Sequence, residues 1–322
     1  MNNDSTVKYF MQGVAYALPQ VPPNKCKGII FTILSAFLFG ITPVLTSLTY
    51  NVGGTPETVT LFRNLFAIPV LLLTLWLKKI PLSLPLPVLR NLVLFGIIGG
   101  GITTLLLYMS YPYVGIGTAT TLHFLYPIFV CLMCRIFFKE RLGLQKIIVL
   151  FIAGAGILCF IDVKQITQIT HITGLVLAGV SGITYAIYMV GVEKKKIDQL
   201  NPWLIIFYIA VSVSIFMLLY SIPTNKIVLL LPLKAYFYMF VLSMLTSLFA
   251  VLLLQLGIKY LGASAAAIFS LFEPVTSIIS GGMFLNETIT VGKIMGCILI
   301  SFAVILLTTN KQVQTREVCN ED

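Results

Sequence analysis

The sequence predicts an all-α membrane protein of ten transmembrane helices, built as two inverted five-helix repeats. Three observations carry that expectation. Hydrophobic residues make up 58% of the 322 and charged ones 10%, with a mean hydropathy of +0.99, whereas soluble domains are roughly 25% charged. The apolar runs are long and unbroken, without the ten-residue alternation of a membrane barrel; a helix needs about 20 such residues to cross the hydrocarbon. Finally, the chain matches itself at a shift of 147 residues.

Taken in order, residues 1–27 carry Asp4 and a weak apolar patch at Tyr9–Leu18, and read as a cytoplasmic tail. The first repeat, 28–163, holds spans at 28–48, 57–77, 91–112, 116–137 and 145–162. The second, 172–308, holds spans at 173–192, 202–222, 235–257, 263–285 and 289–308, and 309–322 is a second tail. Pro56 precedes the second span as Pro202 opens the seventh. Gly96, Gly99, Gly100 and Gly101 give the third span a smooth surface for close helix approach.

The self-match is ungapped from Leu105–Ile147 to Leu252–Ile294, with 11 of 43 pairs identical. These include Tyr113 with Tyr260, Gly115 with Gly262, Pro127 with Pro274, Phe137 with Phe284, Glu140 with Glu287 and Lys146 with Lys293. Span 1 matches span 6 more weakly, through Ser35 and Ser181 at a shift of 146. Five spans per repeat is an odd number, so the second copy enters the membrane from the opposite side. That architecture lets two halves exchange shapes around a midplane site.

The net charge of +10 does not call for nucleic acid. With both termini inside, sixteen Lys and Arg fall on the cytoplasmic side and only Lys164, Lys226, Lys234 and Lys293 outside, with Arg63 within a span. This positive-inside bias explains the charge by orientation and predicts a multi-pass cell-membrane protein with both termini cytoplasmic. The Cys131-x-x-Cys134 pair has no second ligand pair and reads as packing. No phosphate-binding Gly-x-x-x-x-Gly-Lys run and no His-Glu-x-x-His is present, and no cofactor or metal is expected. An intramembrane enzyme needs a clustered nucleophile and base, which the sequence does not offer.

The tracts YVGIGTATTLHFLYPIFVCLMCRIFFKERL, from Tyr113, and YLGASAAAIFSLFEPVTSIISGGMFLNETI, from Tyr260, share a small-residue start, a mid-span proline and a Lys-Glu-Arg or Asn-Glu-Thr ending. They resemble the two EamA-type domains of the drug/metabolite transporter superfamily. The resemblance implies a secondary transporter of a small metabolite, with export of an amino acid or related compound first. Glu273 makes proton coupling an option, and an uncoupled facilitator or channel is the alternative. The chain departs from symmetry where Tyr126 stands opposite Glu273. Expected partners are the lipid bilayer and a small-molecule substrate; a homo-oligomer is left open.

Within the spans, Pro127 and Pro274 are placed to bend spans 4 and 9, freeing the carbonyls of His123 and Ser270. A free carbonyl at that depth needs protein, water or a cavity, so the two bends are expected to flank a central site. A plain packing kink is the other reading. Glu273 is costly at mid-bilayer unless it faces the bundle interior. It is a candidate proton carrier, a ligand for a substrate ammonium, or a protonated donor fixing the bend. Arg63 either snorkels outward, pairs with Glu273, or binds a substrate carboxylate with its planar fork. His123 shares a face with Tyr126, and Tyr108, Tyr111, Tyr185, Tyr188 and Gln255 are candidate walls.

Overall fold

A computed structural model describes residues 25–140, 142–159, 170–285 and 289–309. Both expected tails lie almost wholly outside these residues, as do Arg141, Lys164 and Glu287. All regular structure among the described residues is helical: α1 (Lys25–Tyr50), α2 (Pro56–Leu77), α3 (Leu86–His123), α4 (Tyr126–Phe138), α5 (Leu144–Leu158), α6 (Thr170–Lys194), α7 (Pro202–Thr224), α8 (Leu233–Leu261), α9 (Ala263–Leu285) and α10 (Val291–Thr309). Seven of them are long and apolar enough to cross a membrane; α4, α5 and α10 are shorter apolar helices. Large apolar side chains stay on the outside, Trp76, Phe151 and Leu233 among them, as lipid requires.

The helix starts follow local chemistry. The Thr55 hydroxyl accepts the Thr58 N–H at 3.2 Å and the Asn201 side-chain oxygen accepts the Trp203 N–H at 3.1 Å, each just before a proline. Such caps satisfy N–H groups that the first turn leaves over, and proline lacks one to satisfy.

The internal repeat is written into the backbone. Gly115 (φ 74, ψ 159) breaks α3, and Gly262 (φ 77, ψ 163), 147 residues on, separates α8 from α9. This conformation is open essentially to glycine alone. A π-helical segment occupies Ile97–Ile102 in α3 and another Ser243–Ala250 in α8. The helix stops at Phe124–Leu125 before α4 and at Ser270–Leu271 inside α9.

These stops change the reading of the two prolines. The sequence places Pro127 and Pro274 in helix interiors, but each lies in the first turn of a new helix, Tyr126–Phe138 or Phe272–Leu285. Proline has no N–H to give to the carbonyl four residues back, a lack that matters in a helix interior but not in a first turn, and the chain starts a new helix there rather than bending an old one. The Ser270 carbonyl is not left free: it accepts the Glu273 N–H at 2.9 Å.

Packing crosses between the halves. α3 lies along α6, where Gly99 meets the Tyr188 ring so closely that any β-carbon would overlap it. α1 lies along α8 in the same way, and α5 along α10. The first pairing takes α3 of one half onto α6 of the other, and the second takes α8 onto α1.

Candidate substrate cavity

A cavity of about 80 Å³ sits where these pairs meet, lined by α1, α2, α3, α6, α7, α8 and α9. Arg63, Tyr108, His123, Tyr185 and Glu273 all line it, as do Tyr111 and Tyr188. The remaining expected site residues lie behind the wall. Tyr126 packs edge-on to Tyr185 at 4.7 Å and against His123 at 5.5 Å. Gln255 is fully buried and donates to the Tyr188 hydroxyl. The Ser270 hydroxyl turns back to the Ala266 carbonyl at 3.0 Å. Pro127 faces neither the central cavity nor the smaller one beside it, whereas Pro274 lines the smaller.

Arg63 is buried, at 7% exposure, and does not reach outward. Its Nε donates to Ser247 Oγ at 3.1 Å and an Nη to the Tyr108 hydroxyl at 2.9 Å. Ser247 belongs to the π-helical segment of α8, and Gly99 and Gly100 of the matching segment in α3 line the cavity. Both irregular segments therefore serve the site, a common use of π-bulges. Two of the five guanidinium N–H donors are engaged by these bonds.

Glu273 lies in the first turn of Phe272–Leu285, in the middle of α9. The break before it creates a helix N-terminus inside the bundle, whose positive end favours a carboxylate. That answers the sequence's oddity: the proline and the acid belong to one device, a helix start at depth facing a cavity. No ion pair joins Arg63 to Glu273 among the described residues.

His123 Nδ1 lies 2.9 Å from Ser181 Oγ, and the Ser181 hydroxyl donates to the Ala178 carbonyl at 2.6 Å. The single hydroxyl proton is thereby used, so Nδ1–H of His123 is the donor and Nε2 is left as an acceptor. Tyr111 Oη and Thr42 Oγ1, both of residues lining the cavity, are buried without a hydrogen-bond partner. Buried polar groups are normally paired, so these two are open to a ligand or water.

Sequence reasoning missed Thr42, Pro43, Thr103, Thr104 and Ser247. A signal existed for the first pair. The Phe39-Gly-Ile-Thr-Pro43 stretch interrupts an apolar span with a helix break at Gly40–Ile41. Ser247 carries no such mark.

A second cavity, of about 30 Å³, shares Pro43, Thr120 and Phe124 with the first and extends past Ser277 and Gly281 to Lys293.

The profile of the EamA-like transporter family matches the chain twice, over residues 26–161 and 172–309. The chain belongs to the EamA-like transporter family. Among its relatives, an uncharacterized transporter of Synechocystis sp. (strain ATCC 27184 / PCC 6803 / Kazusa) is 28% identical, with 88% of this chain and 94% of that protein covered. The uncharacterized transporter YcbK of Bacillus subtilis (strain 168) is 23% identical over 84% of this chain and 89% of its own. A solved crystal structure superimposes with a TM-score of 0.71 at 14% identity, covering 90% of this chain and 98% of the other; at that identity it speaks to the fold alone. As an EamA-family protein, the chain is a multi-pass membrane transporter of small solutes.

Proposed function

We propose that this transporter exports an amino acid or related small metabolite across the cell membrane by alternating access, with Glu273 carrying a coupled proton. The observation behind this reading is that Arg63 and Glu273 line one cavity without pairing. A guanidinium with donors to spare suits a substrate carboxylate. A carboxylate at depth suits an ammonium or a proton, and exchange of one for the other is the simplest form of coupling.

The architecture in this proposal is ten crossings in two inverted repeats, 28–163 and 172–308, flanked by cytoplasmic tails. The 147-residue recurrence of Gly115 and Gly262 supports it. A cavity of about 80 Å³ holds a handful of waters, since each needs about 10–15 Å³. Under this reading, a substrate larger than that requires the halves to part.

The test is flux and binding on purified protein in proteoliposomes. Thermal shift across amino acids, sugars and nucleotides identifies a ligand, which raises apparent stability when it binds the folded state. Glu273→Gln is expected to abolish uptake driven by a pH gradient while retaining substrate exchange. Arg63→Ala should weaken binding of a carboxylate ligand at least tenfold. Full proton-driven flux in Glu273→Gln points instead to the uncoupled facilitator, and undiminished affinity in Arg63→Ala removes Arg63 from the binding site.

A further inference from the structure

At one end of the bundle, α4, α6 and α9 are tied by a compact set of charges. Lys194, which ends α6, places Nζ 2.5 Å from Glu140 Oε1, just beyond α4, and 2.7 Å from Glu193 Oε1. The other Glu193 oxygen accepts the N–H of Ala263, which opens α9. That N–H belongs to a helix start and has no partner within its own helix. The three charged side chains are 23–31% exposed, so salt screens them less than it would a surface pair. Glu140 comes from the first half of the chain and the others from the second, and one lysine bridges both.

Along α4 from Glu140 back toward His123, and along α9 from Ala263 on toward Glu273, the chain passes through a solid layer. Cys131 and Cys134 are buried there, Cys131 Sγ lying 3.4 Å from Ser264 Oγ, with Ala263, Ala266 and Ala267 fully buried beside them. The opposite direction is looser, since the second cavity continues from the first at Pro43, Thr120 and Phe124. The Glu57–Lys226 pair, at 3.9 Å, touches neither cavity. At the shift of 146 that aligns α6 with α1, Glu193 and Lys194 correspond to Ser47 and Leu48. The repeat thus supplies no second copy of these two charges.

We propose that Glu140, Lys194 and Glu193 form an ionic latch that holds one end of the central cavity shut, with the Cys131 layer as the seal behind it. This rests on the alternating-access reading, in which one end must close while the other opens. Removing the bridging lysine leaves Glu140 and Glu193 unpaired and close together, so the latch should not merely loosen but repel.

The experiment is alkylation of the native cysteines by a maleimide, with the protein in nanodiscs that leave both faces accessible and each site quantified by peptide mass spectrometry. In the wild type, exposed Cys26 should react while Cys131 and Cys134 stay protected. Lys194→Met should raise the Cys131 labelling rate at least tenfold with partly buried Cys297 unchanged. Glu140→Gln should act in the same direction and less, and Lys194→Arg should retain protection. Continued protection of Cys131 in both Lys194→Met and Glu140→Gln overturns the latch. So does labelling that rises in step at Cys297, the mark of general loosening. The readout needs no substrate. A chain inactive in flux whose Cys131 opens in Lys194→Met keeps the latch and loses the transport reading.

Discussion

At the residue scale, the charges within apolar runs were legible because their cost in lipid leaves few places for them. Arg63, Glu273 and His123 all reach the cavity that this cost implies. Tyr126 and Ser270, the repeat partners of Glu273 and His123, and Gln255, the repeat partner of Tyr108, stand behind the wall. Register predicts equivalence in the fold, not which way a side chain faces. A residue that no sequence pattern marks is Asp198, in the short turn Ile197–Gln199 between α6 and α7. Its Oδ1 is buried without a partner, and burial pushes its carboxyl from 3.8 up to about 6. Glu193 adds to the rise, while Lys259 and the N–H groups of Asp198 and Gln199 oppose it. The folded chain therefore keeps this proton to about pH 6, whereas the unfolded chain releases it near 3.8. Stability contributed by the neutral acid is full below that window and lost as pH rises through it. Asp198→Asn is neutral throughout, so it should raise the melting temperature by a few degrees at pH 7.5 and by nothing at pH 4. Scanning fluorimetry at the two pH values checks this, and a loss at pH 7.5 would reveal an attractive partner for the carboxylate.

At the scale of elements, the rough placement of most apolar segments followed from length and hydropathy, with α1 and α3 each starting a few residues before the expected 28 and 91, but the expected spans 91–112 and 116–137 are divided differently: α3 runs on through Gly115 to His123, and α4 begins only at Tyr126. The π-helical segments were not legible. A π-turn adds one residue without changing composition, so an apolar run looks the same with or without it. The breaks at 124–125 and 270–271 show in the sequence only as their prolines, which predict bends and not breaks. Gly115 and Gly262 offer a clean test of the element boundaries. A β-carbon at Gly115 would meet nothing within 4 Å, so Gly115→Ala measures backbone strain alone. It should cost about 1–3 kcal/mol. Gly262→Ala should cost at least as much, since its β-carbon would also come within 3.2 Å of a Glu193 oxygen. Equilibrium unfolding in detergent reads both. A neutral Gly115→Ala would mean that the helix runs on through that point.

At the scale of the whole molecule, pseudo-symmetry and charge bias have to agree. Two repeats of opposite orientation fix which loops share a face, and the basic residues choose which face is cytoplasmic. The contacts already pair the ends. The Tyr208 hydroxyl reaches the Leu82 carbonyl at 2.5 Å, and Lys78 lies 5.6 Å from the Trp203 ring centroid. At the other ends of α2 and α7, the Thr55 hydroxyl donates to the Lys226 carbonyl at 3.0 Å, and Thr58 Oγ1 accepts the Val228 N–H at 2.8 Å. The loop after α2 thus meets the start of α7, and the loop after α7 meets the start of α2. This reciprocity is what an inverted pair produces, whereas two repeats inserted the same way would put both loops on one side. Single cysteines placed at exposed Ser83 and at Leu230, which is 97% exposed, turn that difference into a measurement in intact cells. A membrane-impermeant maleimide should label Leu230→Cys from outside, whereas Ser83→Cys should react only after the membrane is opened. Labelling of both from the same side would leave the repeats parallel and deprive the central cavity of the exchange of halves on which alternating access depends.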